Sequence, residues 1–372
     1  MHDIAIIGGG LSGLALAIEM QKSGKQVVLF EKQRYPFHRV CGEYISNESL
    51  SYLRFLGVDP FELGAASIDR FKLTTARGTE VRRPLNPGGF GISRHVLDAA
   101  LAEQAKRNGV EVHEGTKVFG VGERKIDTSN GSFEARIVVG AHGKRSTIDK
   151  HLNRAFIQKP LKNHDNFIGV KYHVAADLPQ NLIELHTFKN GYCGISAIEE
   201  QRYCMCYLTK ADNLTKGEDL LEMEQRVLYK NPVLRDYFTR FEKLNSEPLV
   251  ISQINFQNKE KHKNGHLFIG DAAGLVAPLS GNGMSMALRS AHILAECLRS
   301  SSFEPGAMAT VKTHYEKSWR SAFGKRFQLA RSIQFIFFKE LLMESLMKSA
   351  QIFPPLADRI IDQTHGEKFF KE

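Results

Sequence analysis

The chain opens with a pattern typical of a strand that leads into a helix. Residues 2–7 are a short apolar run and predict a buried strand, and residues 11–22 repeat apolar positions at helical spacing. A second apolar run at residues 25–32 predicts another strand. Because strands that alternate with helices form parallel sheets, this order predicts the α/β class.

The patterning changes twice further along the chain. Residues 166–210 alternate apolar and polar positions, which predicts an antiparallel sheet. Residues 217–243 predict helices interrupted at Pro232. Residues 325–361 are apolar around most of a helix circumference and are broken at Pro354. We interpret this tail as helix packed on the rest of the protein; a wall for a long apolar substrate and a membrane-facing surface are the alternatives.

Composition places the chain among ordinary globular proteins. Its 42% hydrophobic and 24% charged content excludes collagen, coiled coil and disorder. The five cysteines form no CxxC pair, which favours reduced thiols and a cytoplasmic location. The apolar N-terminal stretch contains several glycines and is shorter than the roughly 20 residues that a membrane span needs. Association with a membrane surface stays open as an alternative.

The charge balance raises the question of an anionic partner. Fifty Lys and Arg against 41 Asp and Glu give a net charge of +9. The densest basic stretches, residues 257–266 and 143–154, contain no interleaved aromatic residues, so nucleic acid is not predicted as a partner. We interpret these stretches as solvated loops. A phosphate-bearing cofactor, an acidic carrier protein and an anionic membrane are the alternatives.

The strongest chemical signal is a glycine-rich turn between the first strand and the first helix. Gly8, Gly10 and Gly13 form the pattern GxGxxG. Gly8 permits the tight turn, Gly10 lets the backbone approach a pyrophosphate, and Gly13 lets the helix pack close to the strand. The positive end of the helix then faces the phosphates. We include Ser12, which lies in the same turn, among the predicted cofactor contacts.

An acid at the end of the second predicted strand completes a dinucleotide site. Glu31 follows Gly13 by 18 residues, which matches the position of the carboxylate that binds the adenosine ribose. A carboxylate there repels a 2′-phosphate, so the pattern predicts FAD or NAD rather than NADP. The neighbouring Lys32 is included as a cofactor contact.

A second segment indicates which dinucleotide binds. LFIGDAAGLVAPLSGNGMSMAL, which begins at Leu267, places an aspartate after an apolar run and a Gly-Asn-Gly step before a helical pattern. It resembles the second FAD signature of the superfamily of geranylgeranyl reductases and p-hydroxybenzoate hydroxylase-like flavoproteins. The resemblance implies that the aspartate binds the ribityl chain of FAD and that the next helix begins under the flavin. The residues it implies are Gly270, Asp271, Pro278, Gly281, Asn282, Gly283 and Met284.

Further segments resemble the same superfamily. GISRHVLDAALAEQAKRNGVEV (91–112) implies that Arg94 contacts FAD near its phosphates, and GTKVFGVG implies that Val118 contacts the adenine through its backbone. IVVGAHGKRSTID resembles a motif that usually reads Gly-Ala-Asp-Gly, but His142 replaces the aspartate. The nicotinamide recognition of the aromatic hydroxylases is therefore not implied, and we interpret His142 as structural.

The substrate side is implied by fewer residues. Cys41-Gly42 in HRVCGEYIS resembles the Cys-Gly of geranylgeranyl reductases and implies a position on the flavin or substrate wall. Flavin-dependent halogenases carry Gly-Glu-Ser there, which Gly42-Glu43 matches in part. In GYCGISAI, Tyr192 matches a tyrosine over the substrate in reductases of archaeal lipids, whereas Gly194 stands at the tryptophan position.

These segments together predict an α/β protein with a discontinuous Rossmann-like FAD-binding domain. An antiparallel-sheet substrate domain is inserted into it, and a helical C-terminal tail follows. The predicted boundaries are 1–75, 90–155 and 260–305 for the FAD-binding domain, 76–89 and 156–259 for the sheet domain, and 306–372 for the tail.

The resemblance implies an FAD-dependent oxidoreductase. Reduced flavin would deliver hydride to a carbon–carbon double bond of an apolar isoprenoid or lipid-like substrate. A monooxygenase or halogenase acting on an aromatic or polyketide substrate is one alternative, and a non-catalytic lipid carrier is another. NADH or NADPH is the expected external reductant unless an electron carrier takes that part. No metal-ligand spacing appears, so no metal is predicted.

Overall fold

The computed structural model describes residues 1–158, 166–254, 256–275, 283–364 and 366–370. The strands are, in chain order, β1 (His2–Ile7), β2 (Val27–Phe30), β3 (Tyr44–Ser46), β4 (Ala66–Thr74), β5 (Glu80–Gly91), β6 (Glu111–His113), β7 (Val118–Val121), β8 (Lys125–Thr128), β9 (Gly131–Gly140), β10 (Phe167–Ala175), β11 (Leu182–Phe188), β12 (Gly191–Ala197), β13 (Tyr203–Lys210), β14 (Glu242–Lys243), β15 (Leu249–Ile254), β16 (His262–Lys263) and β17 (His266–Phe268).

The helices alternate with these strands in the first third of the chain and dominate the last quarter. They are α1 (Leu11–Lys22), α2 (Leu50–Leu56), α3 (Arg94–Arg107), α4 (Thr147–His151), α5 (Ala155–Gln158), α6 (Leu220–Val227), α7 (Pro232–Arg240), α8 (Gly283–Arg299), α9 (Pro305–Phe337), α10 (Glu340–Ile352) and α11 (Pro354–Thr364).

The first sheet carries the glycine-rich turn. Strands β17, β9, β1, β2 and β6 lie side by side in that order, and neighbouring strands are parallel. α1 packs on α3 and α8 over one face, while the β7–β8 hairpin and α4 cover the other. Burial on both faces explains why these strands read as continuous apolar runs. The predicted α/β class with a Rossmann-like cofactor domain is confirmed.

The second sheet runs β14, β10, β13, β12, β11, β4, β5, β3, with β15 also paired to β10. Strands β10 to β13 include the antiparallel pairs predicted for residues 166–210. β3 and β4 belong to this sheet too, although the predicted boundary leaves residues 1–75 in the FAD-binding domain. The structure differs because β4 pairs in parallel with β11, placing Arg70 opposite Leu182. The sequence around either strand contains no pattern that predicts pairing with a strand so distant in the chain.

The C-terminal tail is helical, but it is not continuous. The pattern over residues 325–353 predicts one helix, whereas α9 ends at Phe337 and α10 begins at Glu340. Lys339 is extended between them. This break lets Met343 and Met347 of α10 pack on the second sheet. Packing between distant segments therefore determines where the helix is interrupted. Within the described residues, no helix combines the length and the apolar character needed to cross a bilayer.

Candidate cofactor and substrate site

The glycine-rich turn is closed on one side by backbone and open on the other. Gly8 has φ of +109°, and a Cβ there would lie 2.5 Å from the Ala141 carbonyl oxygen. A Cβ at Gly13 would lie 2.0 Å from the Gly8 carbonyl oxygen, so glycine is what allows α1 to pack this close to β1. A Cβ at Gly10 would instead meet Arg94 Nη2 first, at 3.5 Å. The open side of the turn therefore faces a cation.

Glu31 is buried beside this turn. Its Oε2 accepts hydrogen bonds from the Gly9 amide at 2.9 Å and from Arg39 Nη2 at 3.1 Å. Its Oε1 accepts from the Gln33 amide at 3.1 Å. Tyr35 donates from its hydroxyl to the Gly9 carbonyl, so both backbone polar groups of Gly9 are held. The carboxylate thus lies against the turn at the end of β2, as ribose binding by Glu31 requires.

Arg94 begins α3 and is bound to an acid that sequence reasoning missed. Its Nε and Nη2 donate to the two carboxylate oxygens of Asp98, each at 2.7 Å, and Arg39 Nε donates to Asp98 at 3.2 Å. Burial by itself lowers the pKa of Arg94, but Asp98 outweighs burial and raises the pKa. The i, i+4 spacing on a predicted helix is the signal for this pair. Glu31, Arg39, Asp98 and Arg94 form one continuous ionic chain.

The two predicted FAD segments meet at Ser12. Gly270 has φ of +57°, and a Cβ there would lie 2.5 Å from Ser12 Oγ. The Gly270 amide donates to Ser290 Oγ of α8 at 2.8 Å. The 3-10 turn Gly270–Ala272 is therefore packed between α1 and α8, with Asp271 half-buried at its edge.

Three buried cations hold this turn from behind. Lys259 Nζ donates to the Asp271 carbonyl at 2.9 Å, Arg154 Nη1 donates to the Ala272 carbonyl at 2.9 Å, and Lys261 Nζ donates to the Ala273 carbonyl at 2.8 Å. Because a peptide is planar and its C=O and N–H point in opposite directions, the Ala272 N–H faces away from Lys259. We call Lys259, Arg154 and Lys261 the carbonyl clasp.

The clasp corrects the interpretation of residues 257–266 as a solvated loop. Lys259 and Lys261 are buried, and burial lowers the pKa of each to about 8. Lys261 also lies 3.7 Å from the ring centroid of Trp319. The sequence signal for this arrangement is the spacing of two between these lysines, since alternate residues of an extended segment point to the same side.

His142, which stands where the superfamily carries an aspartate, is linked to the clasp. Its Nε2 lies 2.9 Å from Asp149 Oδ1, and Arg154 Nη1 donates to the same oxygen at 2.9 Å. His142 Nδ1 is buried without a hydrogen-bond partner among the described residues. This geometry agrees with a structural role, in which His142 and Asp149 orient Arg154 behind the Asp271 turn.

The remaining predicted cofactor residues differ in burial, and some lie outside the described residues. Gly283 begins α8 and Met284 follows it, buried. Pro278, Gly281 and Asn282 lie outside the described residues. Val118 begins β7 and is buried against the face of the first sheet opposite α1, whereas Lys32 is exposed. Contacts of these residues with a cofactor stay predictions.

Cys41 lies at the junction between the FAD-binding domain and the second sheet. The residue is half-buried, its neighbour Gly42 is exposed, and its carbonyl accepts from Cys204 Sγ of β13 at 3.3 Å. Cys41 also packs against the apolar core of the FAD-binding domain, so it links that core to the second sheet.

Glu43, two residues later, is the centre of a buried polar cluster that sequence reasoning missed. The residue has φ of +56° and is fully buried. Its Oε1 accepts from the Arg94 amide at 2.8 Å and from Lys171 Nζ, and its Oε2 lies 2.7 Å from His173 Nε2. Burial raises the pKa of Glu43, but the His173 hydrogen bond and Lys171 outweigh it and lower the pKa to about 2. We call Glu43, Lys171 and His173 the junction cluster.

Histidines connect the junction cluster to the surface. The exposed His38 stacks on His95, with ring centroids 4.5 Å apart, and its ring meets His173 edge-on at 5.2 Å. Partial desolvation of its ring and the nearby Lys171 ammonium lower the pKa of His38 to about 4. Ligand atoms of Glu43, His173 and Cys204 lie within 4.8 Å of one another, but the Lys171 ammonium already supplies the cation that this carboxylate binds.

Tyr192 lies in an apolar cluster that joins three parts of the molecule. The second sheet contributes Tyr192, the segment after the Asp271 turn contributes Leu275, and the tail contributes Phe337 and Met343. These side chains pack against one another, and we call this set the apolar cluster. Its buried members are Leu73, Val81, Phe167, Tyr192, Leu208, Ile254, Leu275, Phe337, Met343, Met347, Ala350 and Ala357. The apolar cluster therefore reaches from the predicted ribityl-binding turn to the C-terminal helices.

The residues present fit FAD. The open side of the Gly10 turn meets Arg94 and the amino end of α1, a combination suited to a pyrophosphate. Ser285, in the first turn of α8, has a buried hydroxyl with no hydrogen-bond partner in the described part of the chain. A polar atom of that kind is suited to a polar group of a ligand. The fold and the site together define a flavoprotein that has a nucleotide-binding domain and a second sheet beside it.

The chain belongs to the FAD binding domain family, whose match covers residues 1–321. It is an FAD-dependent enzyme in a group that includes reductases, monooxygenases and halogenases, and the predicted superfamily is confirmed.

Comparison with individual proteins gives similar relatives of different kinds. Conditioned medium factor receptor 1 of Dictyostelium discoideum is 24% identical over 379 residues, which cover 91% of this chain and 71% of that protein. Digeranylgeranylglycerophospholipid reductase 2 of Methanopyrus kandleri is 25% identical over 370 residues, covering 94% and 89%. The flavin-dependent brominase Bmp2 has a TM-score of 0.79 at 18% identity, covering 98% of this chain and 93% of that one, which shows the shared fold.

Proposed function

We propose that this protein reduces carbon–carbon double bonds of an apolar isoprenoid or lipid-like substrate through reduced FAD. The observation that carries the proposal is the apolar cluster. It begins at Leu275, four residues after Asp271, passes Tyr192 and ends at Met343 and Met347 in the tail. A long apolar chain would bind among these side chains by displacing some of them, because burial of apolar surface is the main favourable term available to it.

Similarity to a reductase of digeranylgeranylglycerophospholipid over most of both chains supports this assignment. The Cys41-Gly42 pair supports it as well, since Cys41 packs on the core of the FAD-binding domain and its carbonyl accepts from Cys204 of the second sheet. The same fold also serves halogenation and oxygen insertion, so the proposal rests on the apolar cluster and not on the fold.

When bound and reduced, FAD supplies the hydride, and the protein must supply orientation, dryness and one proton. Side chains of the apolar cluster would orient the substrate and exclude water. Glu43, ionised at neutral pH because its pKa is about 2, accepts a hydrogen bond from Lys171 Nζ and lies 2.7 Å from His173 Nε2. His38 connects the junction cluster to solvent, and we assign the proton supply to that cluster. NADH or NADPH would reduce the flavin.

The experiment is anaerobic reduction of the FAD-loaded protein by NADH, NADPH or dithionite, followed by mixing with alkenes of increasing chain length. We expect the absorbance of oxidised flavin to return with apolar alkenes and the saturated product to form in equal amount. Oxygen is then admitted in a separate arm. If no alkene reoxidises the flavin but an aromatic substrate is hydroxylated or halogenated with oxygen, the proposal fails in favour of a monooxygenase or halogenase.

A non-catalytic lipid carrier on the same fold is separated by the same measurement. A carrier would bind the alkene and leave the reduced flavin unchanged in both arms. The ionic chain at Glu31 and the carbonyl clasp at Asp271 are extensive arrangements behind a cofactor, which argues for a protein that uses FAD in chemistry.

A further inference from the structure

The C-terminal helices expose an unusual amount of apolar surface. Phe335, Leu341, Leu342, Ile352 and Phe353 are between 48% and 85% exposed and lie within 19 residues of sequence. Elsewhere in the described part of the chain, exposed large apolar side chains such as Phe119 and Val250 stand singly on separate strands. Scattered apolar residues are normal on a protein surface, whereas a concentrated set marks an interaction surface.

Four of the five residues are brought together by α10. At 100° per residue, Leu341, Leu342 and Ile352 fall on the same face of α10, spread over roughly 100° and about 16 Å of helix length. Phe353 follows directly after the last residue of the helix. The opposite face of α10 carries Met343, Met347 and Ala350, which are buried in the apolar cluster. The solvent side of α10 is mixed, because Ser345, Lys348 and Ser349 are exposed between the two leucines and Ile352.

Basic side chains outnumber acidic ones in this segment. Residues 325–353 expose four basic side chains, Lys325, Arg331, Lys339 and Lys348, and one acidic side chain, Glu340. The other acid of the segment, Glu344, is buried, accepts hydrogen bonds from Thr75 and Thr79, and lies 3.7 Å from Lys348 Nζ. Lys339 Nζ lies 5.9 Å from the ring centroid of Phe335, and Lys348 is exposed on the outer face of α10. Long basic side chains beside apolar ones suit the boundary between lipid tails and headgroups.

The charge of this face distinguishes between two possible binding partners, a second copy of the chain and an anionic bilayer. Two copies of the chain facing each other here would bring their cations together, and like charges oppose such a pair. An anionic bilayer attracts the same cations while its headgroup region accepts the apolar side chains. We propose that the outer face of α10, with Phe335 and Phe353, is a peripheral docking surface for membranes that contain anionic lipid. This inference concerns binding and goes beyond the reaction proposed above.

The test is co-sedimentation of the full-length, FAD-loaded protein with vesicles of phosphatidylcholine alone and of phosphatidylcholine mixed with phosphatidylglycerol. We expect affinity for the mixed vesicles to be at least about tenfold higher and to fall as salt is added. The combined variant Leu341→Asn, Leu342→Asn, Ile352→Asn and Phe353→Asn should lose binding to both. These side chains are exposed, so flavin absorbance should stay that of the wild type.

The matched control replaces exposed apolar residues outside the tail, Phe119→Asn and Val250→Asn, and should bind vesicles as the wild type does. A charge variant, Lys339→Glu with Lys348→Glu, should lose the preference for anionic lipid. Wild type that stays in the supernatant with mixed vesicles would overturn the proposal. Equal binding to both vesicle types would do so too, as would a wild-type dimer that the patch variant converts to a monomer without any vesicle binding. No turnover is measured, so failure of the reductase assignment is a separate result.

Discussion

Two buried clusters in this molecule have the same composition and different neighbours. The junction cluster joins Glu43 to Lys171 and His173, and a second cluster joins Glu184 to Lys72 at 3.0 Å and to His186 at 3.2 Å. We call the second one the sheet cluster. In both clusters burial raises the pKa of the carboxyl, and the histidine and lysine outweigh it and lower the pKa to about 2.

Their surroundings separate the two clusters. Glu184 also accepts from Tyr237 of α7 at 2.9 Å, and His186 Nδ1 lies 2.8 Å from Thr74 Oγ1, so the sheet cluster is enclosed by the second sheet and its covering helix. Glu43 instead binds the amide of Arg94, which belongs to the ionic chain beside the glycine-rich turn. The two clusters contain the same residue types but stabilise different parts of the molecule. The sheet cluster stabilises the second sheet, and the junction cluster stabilises the contact between that sheet and the FAD-binding domain.

The largest effect is expected when either carboxylate is neutralised. Glu43→Gln leaves the buried Lys171 without its counter-charge, which costs roughly 3–5 kcal/mol of unfolding free energy. Glu184→Gln should cost less, because Lys72 keeps Glu80 at 3.7 Å. Urea unfolding measures that loss. We expect the flavin reduction potential and visible spectrum to change in Glu43→Gln alone, because only that cluster contacts Arg94.

Paired replacement is the control for this prediction. Glu43→Leu with Lys171→Met, and Glu184→Leu with Lys72→Met, remove both charges and should recover most of the stability. A flavin potential that shifts equally in the two single variants would contradict the distinction between the clusters.

The second prediction is a pH dependence shared by both clusters. Each glutamate has an ordinary pKa of 4.5 and a folded pKa of about 2. Between these values the unfolded chain binds more protons, so stability is fully present above pH 4.5 and is lost as pH falls towards 2. The difference corresponds to about 3 kcal/mol for each carboxyl. Unfolding measured from neutral to acid pH should show this loss, and the paired replacements should flatten it.

A smaller effect is expected at the carbonyl clasp. Lys259→Met removes the charged donor to the Asp271 carbonyl, which is worth roughly 1.5–3 kcal/mol, so FAD affinity should fall about tenfold to a hundredfold. Because the pKa of Lys259 is lowered to about 8, its charge is present below that pH and FAD retention should weaken as pH rises through it. Fluorescence titration of the apoprotein with FAD measures both effects.

Lys72→Met is the matched control, since it removes an equally buried lysine from the sheet cluster. It should destabilise the protein and leave FAD affinity unchanged. If both variants lose FAD to the same extent, the clasp acts only through general stability.

The sequence predicts the glycine-rich turn well because its causes are local. Gly8, Gly10 and Gly13 act within one strand–turn–helix unit, and α1 spans Leu11–Lys22, the same residues that the apolar spacing predicts. Asp271 is implied by the resemblance of a single short segment to a known FAD signature, and the turn that carries it lies within that segment.

The junction cluster and the clasp depend on contacts between distant segments. Glu43 and Lys171 are 128 residues apart, and the sequence around either residue does not predict its contact with the other. Lys259 looks like a solvated charge in the sequence and becomes a buried donor only because the Asp271 turn supplies a carbonyl. Long-range partners decide whether such charges are buried, so local patterns cannot assign them.

The smallest effect on stability, and the most specific effect on chemistry, is expected at Cys41. Cys41→Ala removes one half-buried sulfur and should change unfolding free energy by about 1 kcal/mol or less while FAD stays bound. Cys297→Ala, a half-buried cysteine on α8, is the matched control. Anaerobic reoxidation of reduced flavin by an apolar alkene should change in rate or in the position reduced for Cys41→Ala and stay unchanged for Cys297→Ala. If the two variants reoxidise reduced flavin at the same rate and reduce the same position, Cys41 does not contact the substrate or the flavin.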